Sequence, residues 1–407
     1  MPQKIAKIRK LSLDFVRDVY RDNAKIFLLP SKIAMQSLGF WPDNESILAR
    51  TVTWFIFINV VLAEIFNIAY TLVHIKELIV AVIGALTVIT NFETIVRLQI
   101  ILLNKGVINK ILIKVWKEFW PVKVLLSRKC DQIMTKSKIL LSLVLIFTMA
   151  AIFSNTKMSL KPLLQHKLLF KSSFPFNSDA LFIYEIIYTW QYFVDWFVMS
   201  MACAFDFFFI SLMSVCITQY IVLQDVIRAV FSRESKRHRK IIFGEKGINM
   251  TDKEMLFECL KQHKLLIKIC NDLENSISTA ILLQFVVSVG ANCIAFLILN
   301  IDSSLSMEVF PYCGAHLLQL FYFCYVGQNL THESGNLSTA IYDSDWHLCY
   351  DLQLRKSLVL MIQRSQHDQC ITAVGLIGLN LESFIKLIRL SFSIYTVLDS
   401  FLVADDK

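Results

Sequence analysis

Apolar residues arrive in long blocks separated by short charged stretches, and most blocks exceed the length of an ordinary soluble helix. Seven stand out: 51–73 (TVTWFIFINVVLAEIFNIAYTLV), 78–103, 137–154, 181–224, 277–300, 309–331 and 374–402. A hydrocarbon core of about 30 Å is crossed by roughly 20 helical residues, so each block has the length of a membrane span. The fourth is twice as long. No Gly or Pro lies between Pro175 and Gly244 to turn the chain, so this block reads as one helix whose lower half projects beyond the lipid. The pattern predicts an all-α polytopic membrane protein with seven transmembrane helices.

Composition agrees. Of 407 residues, 55% are hydrophobic and 18% charged, whereas soluble domains are about a quarter charged. That excludes a string of soluble domains, and the apolar content excludes disorder. Residues 1–26 mix charge with apolar residues at helical spacing and contain no uninterrupted apolar run. They read either as an amphipathic segment on the membrane face or as an ordinary packed helix, and no cleavable signal is expected there.

Charge sets the expected orientation. With the N-terminus cytoplasmic, inner segments hold 32 Lys and Arg and outer segments 6, a bias that favours N-terminus inside and C-terminus outside. Splitting the fourth block would carry the basic run RESKRHRK outside, which argues against eight spans. The expected organisation is a cytoplasmic segment 1–50, four spans over 51–224 with an outer loop 155–180, and a cytoplasmic loop and anchor helix 225–276. Two spans over 277–331, a cytoplasmic anchor segment 332–373, and a last helix with its extracellular tail over 374–407 follow. The net charge of +8 is then cytoplasmic-face charge and implies no nucleic-acid partner. Sequons begin at Asn44, Asn249, Asn329 and Asn336 and none falls in an expected outer loop; of ten cysteines none lies in 155–180. No P-loop, HExxH, GxSxG, CxxC or paired-carboxylate arrangement occurs, so neither an enzyme, a cofactor nor a metal site is expected.

Specific motifs begin at Phe321, in FYFCYVGQNLTHESGNLSTAIYDSDWH. Cys324, Tyr325, Gly327, Leu330, Glu333 and Ser334, then Ala340, Ile341, Tyr342 and Trp346, then Ser391, Phe392, Tyr395 and Leu398 on the last helix resemble the insect odorant receptor family. FECLKQHKLLIKICNDLE, with Cys259 and His263, is similar to the family's cytoplasmic helix, and Pro175-Phe176 before Tyr184, Tyr188 and Gln191 to its fourth-span approach. The resemblance covers seven inverted-topology spans, with motifs concentrated in roughly the last 160 residues. It implies a ligand-gated, non-selective cation channel of four subunits in a sensory neuron's dendritic plasma membrane, with the seventh helix lining the pore. The cytoplasmic ends of helices four to seven would form the anchor. Most members are odour-tuning subunits that assemble with a common odorant co-receptor; that co-receptor has a much longer loop between spans four and five. The short stretch here implies a tuning subunit. A gustatory-type homotetrameric channel is the alternative, although the ending SIYTVLDSF lacks that family's Gln-Phe. A metabotropic seven-helix receptor would need the opposite orientation.

Residues can then be assigned to roles. An odorant is small and mostly uncharged, so its site should be enclosed and apolar. At the depth implied by the resemblance lie Ala85, Ile89, Phe147, Ala151, Tyr188, Tyr192, Trp196, Tyr312 and His316. Tyr188, Tyr192 and Trp196 recur every fourth residue and give helix four one aromatic stripe, which fits either core packing or a ligand box. Lys386, Leu390, Ser393, Val397 and Phe401 share one side of the last helix. Val397 falls where the family's gate valine sits, and its other reading is packing against a neighbouring helix. Lys386 is expected either to face away from the ion path or to pair with Glu382. His263, Tyr342 and Trp346 are assigned to the anchor and subunit interface, although His263 also fits a plain helix-packing histidine. Glu64, Glu93, Asp195 and Asp206 should face protein or water, because facing lipid would cost about 2–3 kcal/mol each. Glu93 and Arg97 are expected to pair.

Overall fold

Breaks in the apolar pattern become helix ends only where a local chemical cause exists. The structure, a computed structural model, describes residues 27–43, 46–164, 167–176, 180–301, 306–348 and 350–405. The amphipathic stretch 1–26 lies outside them. A short α1 (Leu29–Ser37) precedes the first span, α2 (Ile47–Val73), which Ser46 caps by accepting the Ala49 N–H at 3.1 Å. Helix α3 (Leu78–Leu103) returns, and α4 (Lys105–Glu118) buries Ile108, Ile111, Leu112 and Val115 along one face. Next come α5 (Ser127–Leu164), α6 (Leu181–Arg228), the short α7 (Ser235–Phe243) and α8 (Glu245–Ile248), α9 (Asp252–Ile301) and α10 (Ser306–Tyr342).

The chain finishes with α11 (Leu352–Ser365), strands β1 (Thr372–Ala373) and β2 (Ile377–Gly378), and α12 (Leu381–Asp405). Asp351 caps α11 by accepting from the Gln353 and Leu354 N–H groups. Asn380 does the same for α12 by accepting from Ser383 at 2.7 Å. The strands pair antiparallel, Thr372 with Gly378 and Ala373 with Ile377. Val374 and Gly375 open the three-residue turn of the hairpin at φ 52° and 72°, a left-handed conformation that strains a β-branched valine.

Helices outrun the apolar blocks. The fourth block is one helix of 48 residues. Helix α5 extends ten residues beyond each end of 137–154, so 155–164, expected in the outer loop, are helical. The anchor helix and fifth span are a single 50-residue α9, and the sixth span runs unbroken to Tyr342. A helix leaving lipid keeps its internal hydrogen bonds, so polar residues alone do not end it. Among the described residues, five segments are long and apolar enough to cross a membrane: α2, Ile83–Leu103, Ser127–Lys157, Phe182–Arg228 and Asp252–Asn300. Helices α10 and α12 complete the seven; α12 is diluted by Glu382, Lys386, Arg389 and Asp399.

Helix α6 lies along α10, α2 along α3, and α9 against α3, α10 and α12. Packing is tightest at the end far from loop 167–176. There Tyr220 and Leu223 of α6, Cys259 and Leu266 of α9, and Leu330 and Leu337 of α10 are fully buried. Gly327 makes one contact possible: a Cβ on it would lie 2.4 Å from Leu379, so only glycine lets α10 touch the hairpin. Towards the other end Ile65 and Leu72, Ile146 and Phe153, and Phe182 and Ile186 are exposed, as side chains that face lipid must be. Loop 167–176 tucks between α2 and α6. The Gln191 amide brackets Phe170, accepting its N–H and donating to its carbonyl at 3.1 Å each, and Ser172 Oγ donates to Asn67 at 2.6 Å.

Candidate functional site

The residues expected to bind a ligand fall into two groups. On α6, Tyr184 and Tyr188 stack obliquely at 5.9 Å, and Tyr192 and Trp196 meet edge-on at 6.1 Å, so the aromatic stripe exists. Tyr188 is buried, and its hydroxyl donates to the Ser159 carbonyl of α5, which makes it a strut between two helices. Phe147 and Ala151, on α5, are half-buried. Trp190, on another side of α6, donates to Asn59 of α2 at 2.8 Å.

The second group lies where α10 meets α3. The Tyr312 hydroxyl and Thr90 Oγ1 are 3.1 Å apart, and the Tyr312 and His316 rings contact at 4.6 Å. Ala85 and Ile89 sit half-buried just before Thr90. His316 is buried. Among the described residues no hydrogen bond or ring contact joins this group to the α6 stripe.

Directly below, four helices meet at a buried ionic network. Arg97 of α3 pairs with Glu93 one turn earlier at 2.6 Å and with Asp206 of α6 at 3.3 Å, and donates to Gln284 of α9. Its guanidinium also lies over the Phe205 ring at 5.0 Å. Gln319 of α10 donates to Asp206 at 2.5 Å, and Gln284 donates to Gln319 at 3.0 Å. The local Glu93–Arg97 pair is therefore part of a junction between four helices. Gln284 and Gln319 are new members, and a glutamine inside an otherwise apolar block was their available signal.

Helix α12 is held along one narrow stripe. Ser383, Leu387 and Ser391 are buried, while Val397 is 51% exposed and Leu390 and Ser393 are exposed too. Lys386 and Glu382 pair at 2.6 Å, both largely exposed. The anchor residues separate. Tyr342 is 70% exposed and Trp346 half-buried against the core. His263 is buried within its own chain, which fits its helix-packing reading. Burial, and then the charge of Arg364, push its imidazole pKa down to about 4. Nearby an open groove of about 730 Å³ is lined by Phe243, Met250, Phe257 and Leu354 with Lys253 and Glu254.

Known proteins share parts of this sequence and this fold. The sequence model of the family described as 7tm Odorant receptor matches residues 117–392. Among curated proteins, the chain is 27% identical to Odorant receptor 22c of Drosophila melanogaster over 48% of each chain. It is 22% identical to Odorant receptor 43b of the same species, over 66% of this chain and 64% of that one. Odorant receptor Or2 of Anopheles gambiae is 30% identical over 35% of this chain and 38% of its own. The matches span from about a third to about two thirds of these relatives. Among solved structures, the fold is similar to the insect olfactory receptor OR5 from Machilis hrabei, at a TM-score of 0.79 and 14% identity. That match covers 92% of this chain and 98% of the other. The same receptor in complex with eugenol matches at 0.78.

Proposed function

The chain belongs to the 7tm odorant receptor family, and on that premise we propose that it is the odour-sensing subunit of a heterotetrameric, ligand-gated, non-selective cation channel. Its partners are odorant co-receptor subunits, its N-terminus is cytoplasmic and its C-terminus extracellular. A small volatile organic molecule enters the outer half of the membrane domain, among the aromatic stripe of α6, the α5 pair Phe147 and Ala151, and the Tyr312–His316 group. It opens the pore by binding the open state more tightly than the closed one.

The observation that carries this reading is the uncovered side of α12. A helix inside a membrane that leaves Lys386, Ser393 and Val397 uncovered by its own chain needs protein or water on that side, because lipid is costly there. Several subunits around one axis supply both: neighbours for the flanks and an aqueous path for the inner face. Val397 then stands where a ring of apolar side chains closes the path by dewetting. Exposed apolar residues on segments beyond the membrane, Tyr342, Tyr350 and Leu360, fit an anchor that other subunits cover.

The test is expression of the chain alone and together with the co-receptor, with currents recorded against an odour panel. Odour-evoked cation current only in the pair is the expected result. Robust currents from the chain alone would favour a homotetrameric channel of the gustatory type, and epitope tags at the N-terminus accessible without permeabilisation would overturn the orientation.

A further inference from the structure

We propose that the inner ends of α5 and α6, together with α7, form a binding surface for the polyphosphorylated inositol head group of an anionic lipid in the adjacent leaflet. The proposal rests on the cytoplasmic orientation of this end given above.

Helix α7 divides its charges by face. Ser235, His238 and Arg239 are buried, whereas Lys236, Arg237 and Lys240 are exposed together on the opposite side. The buried cation pins the helix: Arg239 is held by Asp252, by the Met250 carbonyl and by Ser235 Oγ at 2.8 Å. Its three exposed neighbours are thus presented from a fixed support. Positive-inside topology needs cations somewhere in this loop but does not require them on one clamped face.

Other elements add to the same patch. Lys129 at the start of α5 reaches Asp225 of α6 at 2.5 Å. The charges of Asp225, Arg237, Glu234 and Lys129 all act on the buried His238, so they lie within electrostatic reach of α7. Helix α7 also packs on the turn Val122–Val124 that leads into α5. With the exposed Arg128, Lys136 and Arg233, this end of α5, α6 and α7 carries seven exposed cations beside three acidic residues, Asp131, Asp225 and Glu234. A surplus of this size next to a membrane attracts acidic lipids.

Depth identifies the head group. On α5 the exposed apolar stripe Ile139, Leu143 and Ile146 begins one turn above Lys136 and about 15 Å above Lys129 at 1.5 Å per residue. Lys136 therefore meets the head-group layer, while Lys129 and the α7 face lie beneath it. Phosphates that stand off the leaflet on an inositol ring reach that level; a serine head group remains beside its glycerol.

The experiment uses the full chain, purified with its co-receptor and placed in bilayer discs of phosphatidylcholine. The discs contain 2% phosphatidylinositol bisphosphate, or phosphatidylserine at matched charge, and retained lipid is measured after detergent extraction. Wild type should retain the bisphosphate lipid at least fivefold over phosphatidylserine. Lys236→Gln/Arg237→Gln/Lys240→Gln should remove that preference; Lys236→Arg/Lys240→Arg should keep it, as should Lys157→Gln/Lys171→Gln at the opposite end. Equal retention of both lipids, or full retention by the triple variant, overturns the proposal. Equal retention of soluble inositol trisphosphate would replace it with a soluble-phosphate site. A tag inserted after Gly244 separates the two readings: reached from outside, it overturns the orientation; reached only from inside, with no lipid preference, it overturns this proposal alone.

Discussion

Replacing Arg97 by Met keeps most of the side-chain volume and removes the one cation of the four-helix junction. In the native structure Arg97 is 2% exposed and serves two carboxylates, Glu93 at 2.6 Å and Asp206 at 3.3 Å. At an effective dielectric near 20 those contacts are each about 5–6 kcal/mol of gross attraction, most of it offset by the desolvation of three charges. Removing the cation leaves two buried carboxylates unpaired, at a cost of about 3–5 kcal/mol. The cluster has one more anion than cation, so the opposite change should behave differently. Asp206→Asn leaves Arg97 matched one to one with Glu93, and the single amide oxygen keeps the bond from Gln319 while giving up the one from Arg97. Its cost should be about 1 kcal/mol. Combining the two substitutions should cost less than their sum, because they share a partner. The assay is thermal unfolding of full-length complexes in detergent, followed by size-exclusion fluorescence, with surface labelling in cells. An Arg97→Met variant as stable as wild type, or an Asp206→Asn variant weaker than Arg97→Met, would refute the reasoning.

Four further outcomes are expected. Val397→Gln should raise the resting current or shift ion permeability while leaving the odour rank order unchanged; unaltered current, permeability and block would put Val397 in a packing interface. Tyr192→Ala should weaken responses to small odours by on the order of 1–3 kcal/mol and spare larger homologues. Tyr188→Phe should instead cost about 1 kcal/mol of stability through the lost bond to Ser159; a retuned odour order with unchanged melting would reverse that assignment. His263, with its pKa held near 4 against an ordinary 6.5, is neutral in the native state. The unfolded chain binds the extra proton between those values, so stability should fall from pH 6.5 towards pH 4, by on the order of 3 kcal/mol, and level off below. His263→Gln should flatten that slope, and an unchanged pH profile of melting would show that the buried imidazole does not control it.

The membrane character and the continuous fourth helix were legible because they depend on local quantities: block length, and the absence of Gly or Pro. Helix ends were less so. The extension of α5 to Leu164 crosses residues such as Lys157 and Ser159 that look like loop in isolation, yet the backbone satisfies itself whether or not lipid surrounds it. Which polar residues face each other was hidden for a different reason. Gln284 and Gln319 become visible as partners of Arg97 and Asp206 only after α3, α6, α9 and α10 are placed side by side, across separations of more than a hundred residues. His263 shows the converse: its motif position allowed either an interface or helix packing, and its burial depends on the rotation of α9 against its neighbours. Gly327 was conspicuous within its motif, but its need for a missing side chain depends on Leu379 lying against it.

The unbroken α6 also has a mechanical meaning. Asp206, its fixed point in the ionic junction, lies 25 residues from Leu181 and 22 from Arg228, about 38 Å and 33 Å along the axis. Asp206 thus divides the helix into two arms of nearly equal length. The arm towards Arg228 is clamped by the packing around Tyr220 and Leu223, so a tilt of about 3° about Asp206 would show at the Leu181 tip, as a swing of about 2 Å. That stroke is the size of a methyl group, so one added carbon on an odour molecule is already commensurate with the travel available at that tip.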